Sequence, residues 1–233
     1  FKDYVVNERW ITTVLVAQKI TPQTAHHMYL LACSSAQMNV RNLEFITRQE
    51  QERQEQAERL AMEVIIREKQ LPFRQIPEVE EWLQHYDDIK DRYKFLVLDG
   101  PSQMGKTRFA ASLTSVEKFY YLDCSSCIMP DMRSFNRRHH DVVLFDEIKA
   151  TTVVSVKKLF QSSIDVVSLG SSQTNMNLYR IWCHRTKMIC ASNRWKAELS
   201  SLDAPDREWL EKNTVYIFVD RPLWEETCVG EDR

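Results

Sequence analysis

The placement of glycine is the feature that most restricts how this 233-residue chain folds. Only four glycines occur, and two of them lie within the segment Gly100-Pro101-Ser102-Gln103-Met104-Gly105-Lys106-Thr107. An apolar run, Phe95–Leu98, precedes this segment, and the helix-compatible run Arg108–Leu113 follows it. The pattern predicts a strand, a tight loop and a helix, which together form the basic unit of an α/β fold.

The spacing of the two glycines, the lysine and the threonine matches the phosphate-binding loop, or P-loop. In such a loop the backbone amides and the N-terminus of the next helix contact phosphate oxygens. Lys106 is expected to neutralise the β- and γ-phosphates, and Thr107 is expected to offer its hydroxyl to Mg²⁺. The segment therefore predicts binding of a nucleoside triphosphate.

Four further apolar runs are strand candidates: Phe119–Leu122, Val142–Phe145, Lys187–Ala191 and Val215–Val219. Continuous apolar runs of this length are typical of strands that helices cover on both faces. Their alternation with helical segments predicts an α/β domain with a central, mostly parallel sheet over residues 72–233. A helix over Thr152–Gln161 is expected to lie on its surface.

Residues 1–71 predict a helical N-terminal segment. Thr21 and Pro22 are typical of a helix start, with a helix expected over Thr24–Ala36. Asn42–Leu71 is rich in Gln, Glu and Arg, which predicts an exposed helix held by charged side-chain pairs. This segment is a candidate oligomerisation collar or a helix that packs on its own domain. A helix that starts at Pro77 is also expected. One of its faces would carry Val79, Trp82, Leu83, Tyr86 and Ile89.

Polar residues end two of the strand candidates. Asp146 and Glu147 follow Val142–Phe145, where Asp146 would hold Mg²⁺ and Glu147 would polarise an attacking water. Asn193 follows the run Lys187–Ala191, where its amide would bond the γ-phosphate or the attacking water. An asparagine after a strand is also a common turn former, and the pattern alone leaves that alternative open.

Composition excludes several other classes of protein. Hydrophobic residues make up 43% of the chain and charged residues 27%, with 31 basic against 33 acidic side chains. A net charge of −2 excludes a generally basic nucleic-acid coat. Six scattered cysteines indicate a reducing, intracellular setting, and the apolar stretches are too short to predict a membrane span. The first residue, Phe1, predicts that the sequence begins at a fragment boundary.

In this order, the Gly100–Thr107, Asp146-Glu147 and Asn193 stretches resemble motifs A, B and C of superfamily 3 helicases. Those helicases are the AAA+-type replicative motors of small DNA viruses, including the Rep proteins of circular single-stranded DNA viruses. The resemblance extends from about Tyr93 to Leu223. It implies a five-stranded core, ATP and Mg²⁺ as cofactors, and translocation on single-stranded DNA, with RNA left open. It also implies a homo-oligomeric ring, with a hexamer as the expected form, and an intracellular location, in the nucleus of a eukaryotic host.

The resemblance also implies roles for particular residues. Lys106, Glu147 and Asn193 would be catalytic, Gly100–Thr107 would bind the nucleotide, and Thr107 and Asp146 would hold the metal. A neighbouring subunit would supply an arginine to the transition state. The candidates after motif C are Arg194, Arg207 and Arg221. Arg207 is preferred because it precedes the last strand, although each of the three is equally compatible with an exposed surface arginine.

The family also carries a hairpin between motifs B and C that lines the central pore and commonly bears a basic residue. The corresponding stretch is Ile164–Cys183, with a turn expected near Ser168–Ser172. That turn contains no lysine or arginine, and Arg180, Arg185 and Lys187 lie further along the chain. Binding of nucleic acid is therefore less firmly indicated than binding of nucleotide.

The histidine and cysteine patterns indicate neither a nicking domain nor a zinc site. Rep proteins often carry a nicking domain with a His-hydrophobic-His motif, but His26-His27 and His139-His140 are adjacent pairs, which point apart on a strand. Cys124 and Cys127 have the spacing of half a zinc site without a second pair. Apolar core cysteines are the favoured interpretation.

Two other functions remain open. A small-molecule or nucleoside kinase shares the P-loop, although the polar ends of two strands, at Asp146-Glu147 and at Asn193, favour an ATP hydrolase. A viral relic that binds nucleotide without motor activity is the second. Intact Lys106 and Thr107 argue against decay of the nucleotide site.

Overall fold

The computed structural model describes residues 37–70, 72–126, 129–170 and 178–225, with side chains from residue 47 onward. These residues fall into two units, divided between Ile65 and Ile66. The helix expected over Thr24–Ala36 and the His26-His27 pair lie outside the described residues. The domain boundary near residue 72 stays a prediction.

A single long helix, α1 (Gln37–Glu68), accounts for most of the described N-terminal residues. Arg48 and Glu52 form an ion pair at 3.0 Å, one turn apart on an exposed face, as the mixed charge pattern predicts. Leu60, Val64 and Ile65 expose between 37% and 45% of their surface. The role of this helix as an oligomerisation collar stays a prediction.

The next helix, α2 (Pro77–Gln84), begins with proline at its first position, as expected. Val79 and Trp82 are buried, and the Trp82 indole donates a hydrogen bond to the Lys94 carbonyl at 2.7 Å. The prediction that Ile89 shares this face is wrong, because the helix ends at Gln84 and Ile89 is 81% exposed.

Within the described residues, seven strands form two sheets: β1 (Phe95–Asp99), β2 (Phe119–Asp123), β3 (Val142–Asp146), β4 (Val167–Leu169), β5 (Tyr179–Ile181), β6 (Lys187–Ser192) and β7 (Thr214–Phe218). Five of them make a sheet in the order β2-β3-β6-β1-β7. Every pairing in that sheet is parallel. The predicted α/β class and central parallel sheet are confirmed.

In the described part of the chain, five more α-helices lie among the strands: α3 (Lys106–Ser112), α4 (Ala150–Ser155), α5 (Lys157–Phe160), α6 (Trp195–Leu199) and α7 (Ala204–Asn213). A single helix over Thr152–Gln161 is a wrong prediction, because Val156 leaves the helical region with φ −129° and ψ 41°. Beyond this break, Leu159 and Phe160 are fully buried. None of the described helices is both long and apolar enough to cross a membrane.

The core lies on both faces of the five-stranded sheet. Phe95, Phe145 and Trp195 belong to the cluster on one face, and Trp82 and Leu144 to the cluster on the other. Burying side chains of this size stabilises the fold by about 1.5–3 kcal/mol each. The central strands β1, β3 and β6 are almost wholly buried, whereas the edge strands β2 and β7 are half exposed.

The second sheet is an antiparallel hairpin of β4 and β5, in which Val167 pairs with Ile181 and Leu169 with Tyr179. It lies within the stretch where a hairpin was expected. The expected turn near Ser168–Ser172 is wrong for its first two residues, because Ser168 and Leu169 belong to strand β4. The connection begins at Gly170, and its residues 171–177 lie outside the described part of the chain.

Candidate nucleotide-binding site

Three neighbouring strands bring the predicted site segments to one edge of the sheet. The last residues of β1 and β6 pair in register, as Asp99 with Ser192, and β3 pairs with β6 through Asp146 and Ala191. The carboxyl ends of parallel strands meet at the same edge, where α/β folds bind their ligands. The glycine loop, the acidic pair and Asn193 therefore converge.

Two close approaches explain why the loop contains glycine at both positions. A Cβ on Gly100, where φ is +152°, would lie 2.3 Å from the Val219 carbonyl oxygen. A Cβ on Gly105, where φ is +84°, would lie 3.0 Å from the Trp224 ring. The backbone is therefore held against the segment that follows the last strand.

The other loop residues each have a definite place. The Pro101 carbonyl accepts a hydrogen bond from Lys106 Nζ, and the Ser102 hydroxyl accepts one from the Asn193 amide. Gln103 is exposed and has a left-handed backbone with φ 64°. The Met104 carbonyl accepts the Leu223 amide at 3.0 Å, which ties the loop to the chain beyond β7.

Lys106 lies beneath the loop and is only 7% exposed. Its ammonium donates to the Gly100 and Pro101 carbonyls at 2.7 Å each, and to Asn193 Oδ1 at 2.8 Å. Burial lowers the pKa of Lys106, and the negative charges of Glu147, Asp146 and Asp99 oppose that shift. The cation is thus buried among oxygen atoms at the centre of the site.

Two hydroxyl groups converge on one oxygen of Asp146. Thr107 Oγ1 donates to Asp146 Oδ2 at 3.1 Å, and the Tyr121 hydroxyl donates to the same oxygen at 3.2 Å. Partial burial and the adjacent Asp146 carboxylate raise the pKa of Tyr121 to about 12, so the phenol stays protonated at neutral pH. Carboxylate and hydroxyl oxygens are ligands that suit Mg²⁺.

Asn193 links the lysine to the second carboxylate. Its Nδ2 donates to Glu147 Oε1 at 2.6 Å and to Ser102 Oγ at 3.1 Å, while its Oδ1 accepts from Lys106. Glu147 has a left-handed backbone with φ 56°, a conformation that costs about 1–3 kcal/mol in a non-glycine residue. We refer to Lys106, Thr107, Asp146, Glu147 and Asn193 as the site cluster.

Sequence reasoning did not identify Asp99 as part of this site. Its carboxylate is 3% exposed and accepts the backbone amides of Trp195 and Lys196, at the start of α6, at 3.1 Å each. The Tyr216 hydroxyl, on β7, donates to it at 2.9 Å, and burial together with Asp99 raises the pKa of Tyr216. Tyr121 was also missed. A carboxylate at the end of an apolar strand was the only sequence signal for Asp99.

A cavity of about 530 Å³ opens beside the loop and is lined by Gly100, Pro101, Asn193, Arg194, Lys196 and Phe218. Of the three arginine candidates, Arg194 therefore lies next to the site cluster of its own chain. Arg207 is exposed on α7 and donates to the Leu202 carbonyl at 3.0 Å. No hydrogen bond described in the structure joins Arg207 to the site cluster, and Arg221 is exposed beyond β7.

The cysteine and histidine candidates lie outside this cluster. Cys124 is buried with a free thiol, and Cys127 lies outside the described residues. His140 packs against Tyr120 and Phe135, and its pKa is lowered by burial and then by His139. Among the residues that the structure describes, no three histidines, cysteines or acidic residues are grouped to hold a metal ion by themselves.

No protein-family model matches this chain, and no curated protein matches it either. Among solved structures, the chain is similar to Hsp104 in a closed-state cryo-EM reconstruction with ATPγS and FITC-casein. The likeness covers 55% of this chain and 29% of that chain, at 13% identity and a TM-score of 0.34. Similarity at this level assigns neither a family nor an activity to the chain.

Proposed function

We propose that this chain is a Mg²⁺-dependent ATP hydrolase whose nucleotide lies on the Gly100–Thr107 loop. The observation that carries the proposal is the hydrogen-bonded site cluster, in which Asn193 joins Lys106 to Glu147 and Thr107 bonds Asp146. The cluster supplies a cation for phosphate, oxygen ligands for a metal and a carboxylate for the attacking water. These are the parts that P-loop ATP hydrolases require.

The phosphate-binding step is assigned to Lys106. Its ammonium now bonds two loop carbonyls and Asn193, all of them uncharged groups. A triphosphate offers charged oxygens, which form hydrogen bonds about twice as strong as neutral ones. Lys106 would therefore exchange some of its present partners for phosphate oxygens, which releases Asn193 Oδ1.

The metal is assigned to Thr107 and Asp146, whose oxygen atoms fit Mg²⁺ together with phosphate oxygens. When bound, the metal would neutralise charge that develops on the phosphates. Glu147 would accept a proton from the attacking water, and its bond to Asn193 Nδ2 holds the carboxylate in the site. Asn193 would respond to the loss of the γ-phosphate, because its amide bonds both Lys106 and Glu147.

The test of this proposal is binding and hydrolysis of ATP by the wild type and by Lys106→Ala. Loss of the buried ammonium is expected to weaken binding of a fluorescent ATP analogue by roughly 100-fold and to abolish turnover. Lys158→Ala, which removes an exposed lysine on α5, is the matched control and should change neither quantity. Wild-type protein that binds no nucleotide in the presence of Mg²⁺ would contradict the proposal.

We further propose that hydrolysis drives movement on single-stranded DNA, within a ring of identical subunits. Two features support this: the A, B, C order of the motifs, and the hairpin of β4 and β5 between motifs B and C. Arg180 is exposed on β5, where its charge is available to a phosphate backbone. Arg207, outside the site cluster, would act on the nucleotide of the adjacent subunit.

The same ATP hydrolysis assay, run with and without single-stranded DNA, tests the motor. DNA is expected to raise turnover, with an apparent affinity that falls steeply with salt as counterions are released. Arg180→Ala should weaken that response, whereas Arg138→Ala, an exposed arginine outside the hairpin, should not. The same assay with a single-stranded RNA of equal length shows whether DNA or RNA stimulates ATP hydrolysis. Nucleotide binding without turnover would indicate a relic, and phosphate transfer to a small acceptor would indicate a kinase.

A further inference from the structure

Tyr121 is a residue of the edge strand β2 whose hydroxyl reaches into the site cluster. It donates to Asp146 Oδ2 at 3.2 Å, beside the bond from Thr107 Oγ1 at 3.1 Å. Strand β2 pairs in parallel with β3, so that Asp123 lies opposite Asp146 and Tyr121 lies two residues earlier. The hydroxyl therefore reaches the carboxylate from the neighbouring edge strand, whereas Thr107 reaches it from α3.

We infer that Tyr121 is a positioning residue for the metal, because its hydroxyl fixes the orientation of the Asp146 carboxylate. This inference rests on the proposed function, in which Asp146 and Thr107 hold Mg²⁺. Tyr121 itself would not touch the metal or the nucleotide. It would act through Asp146 alone.

The role of Tyr121 depends on which oxygen of Asp146 receives the two hydrogen bonds. Both hydroxyls donate to Oδ2, so neither bond occupies the other oxygen, Oδ1. Two donors on one oxygen restrict rotation of the carboxylate, and Oδ1 stays available to a cation or its water. Thr107 keeps the lone pairs of its hydroxyl for the metal, because it acts as the donor toward Asp146.

Strand alternation determines which of two adjacent tyrosines has this role. Neighbouring residues of a strand point to opposite faces. Tyr120 accordingly packs against Phe135 and His140, at ring-centroid distances of 5.7 Å and 4.9 Å, away from the site cluster. The chain thus contains its own matched control, one residue away and in the same strand.

The experiment compares Tyr121→Phe with Tyr120→Phe, since each variant removes one hydroxyl and keeps the ring. Binding of ATPγS is measured by fluorescence during a Mg²⁺ titration, and again in EDTA. Partners of metal ligands typically change metal affinity by about 10- to 100-fold, and Tyr121 is partly exposed, so we expect the lower end. Tyr121→Phe should need roughly 10-fold more Mg²⁺ for half-maximal binding and should bind ATPγS normally in EDTA.

Each outcome of this experiment has one meaning. Equal Mg²⁺ dependence in Tyr121→Phe and the wild type would overturn the inference and leave the proposed function standing. Loss of affinity in EDTA as well would also overturn it, because the residue would then support the loop rather than the metal. A wild type that binds no nucleotide, with or without Mg²⁺, would overturn the proposed function and this inference together. Because Tyr121 is 41% exposed, the Tyr121→Phe protein should have the same thermal unfolding midpoint as the wild type.

Discussion

Gly100 illustrates how a single backbone position constrains the Gly100–Thr107 loop. Its α-carbon faces the Val219 carbonyl so closely that a methyl group would lie 2.3 Å from the oxygen. The obstacle is backbone, which cannot move aside as the end of a flexible side chain can. Gly105 differs in kind, because its neighbour is the ring of Trp224 at 3.0 Å.

This difference predicts an order of stability for two variants. Gly100→Ala is expected to lower the free energy of unfolding by about 2–4 kcal/mol, from overpacking and backbone strain together. Gly105→Ala should lower it by about 1–2 kcal/mol, because the Trp224 ring shifts and only the positive φ remains costly. Urea unfolding followed by circular dichroism measures both. The reverse order would show that the contact with Val219 is not what restricts the loop.

Asp99 connects three elements that meet at the site. The residue ends β1, caps the first two amides of α6 and accepts the Tyr216 hydroxyl of β7. Helix α6 starts two residues after Asn193, so the cap also fixes where the Asn193 amide lies. A carboxylate at a helix N-terminus is favoured by the helix dipole as well as by its hydrogen bonds.

We therefore expect Asp99→Ala to affect both stability and nucleotide binding. The loss of a buried cap should lower the free energy of unfolding by about 2–3 kcal/mol, and the misplaced Asn193 should weaken nucleotide binding. The comparison is Asp203→Ala, which removes the exposed N-cap of α7 and its 2.9 Å bond to the Asp206 amide. The free energy of unfolding of that variant should fall by about 1 kcal/mol, and the variant should bind nucleotide normally. Equal nucleotide affinities in the two variants would contradict the role assigned to Asp99.

The strands could be predicted from the sequence because β1, β3 and β6 are covered on both faces and are therefore continuously apolar. The acidic pair and Asn193 could be placed near the loop because parallel strands end at one edge. The contacts of Tyr121 and Asp99 could not be predicted, since they depend on the register between strands that are distant in sequence. Ile89 was misplaced because its apolar character fits the helical period, whereas the end of α2 at Gln84 has no proline or glycine to signal it.

For the whole molecule, the positions of Lys106 and Arg207 predict how an assembled ring would respond to mixed subunits. Lys106 is central to the site of its own chain, whereas Arg207 is exposed on α7 and its side chain donates to the Leu202 carbonyl. If Arg207 completes the adjacent subunit's site, the two residues needed for one turnover come from different chains. Each single variant, Lys106→Ala or Arg207→Ala, should then be inactive alone.

Mixing the two inactive variants tests this arrangement. An Arg207→Ala subunit beside a Lys106→Ala subunit has an intact loop and receives an intact arginine from its neighbour. With equal amounts and random assembly, about a quarter of the interfaces should hydrolyse ATP. The control is a mixture of Arg221→Ala and Lys106→Ala. Its activity should not exceed the activity expected from its Arg221→Ala subunits alone. No recovery in an assembled Lys106→Ala and Arg207→Ala mixture would show that Arg207 is not supplied between subunits.

The dependence of the loop on Val219, Leu223 and Trp224 has a consequence for biosynthesis. The residues that hold Gly100, Met104 and Gly105 are translated long after the loop itself. When the whole Gly100–Thr107 sequence has been synthesised, the nascent chain still lacks the backbone on which the loop packs. If the loop binds nucleotide as proposed, that competence would arise late during synthesis, after residue 224 has left the ribosome, and a prematurely terminated chain would not compete for ATP.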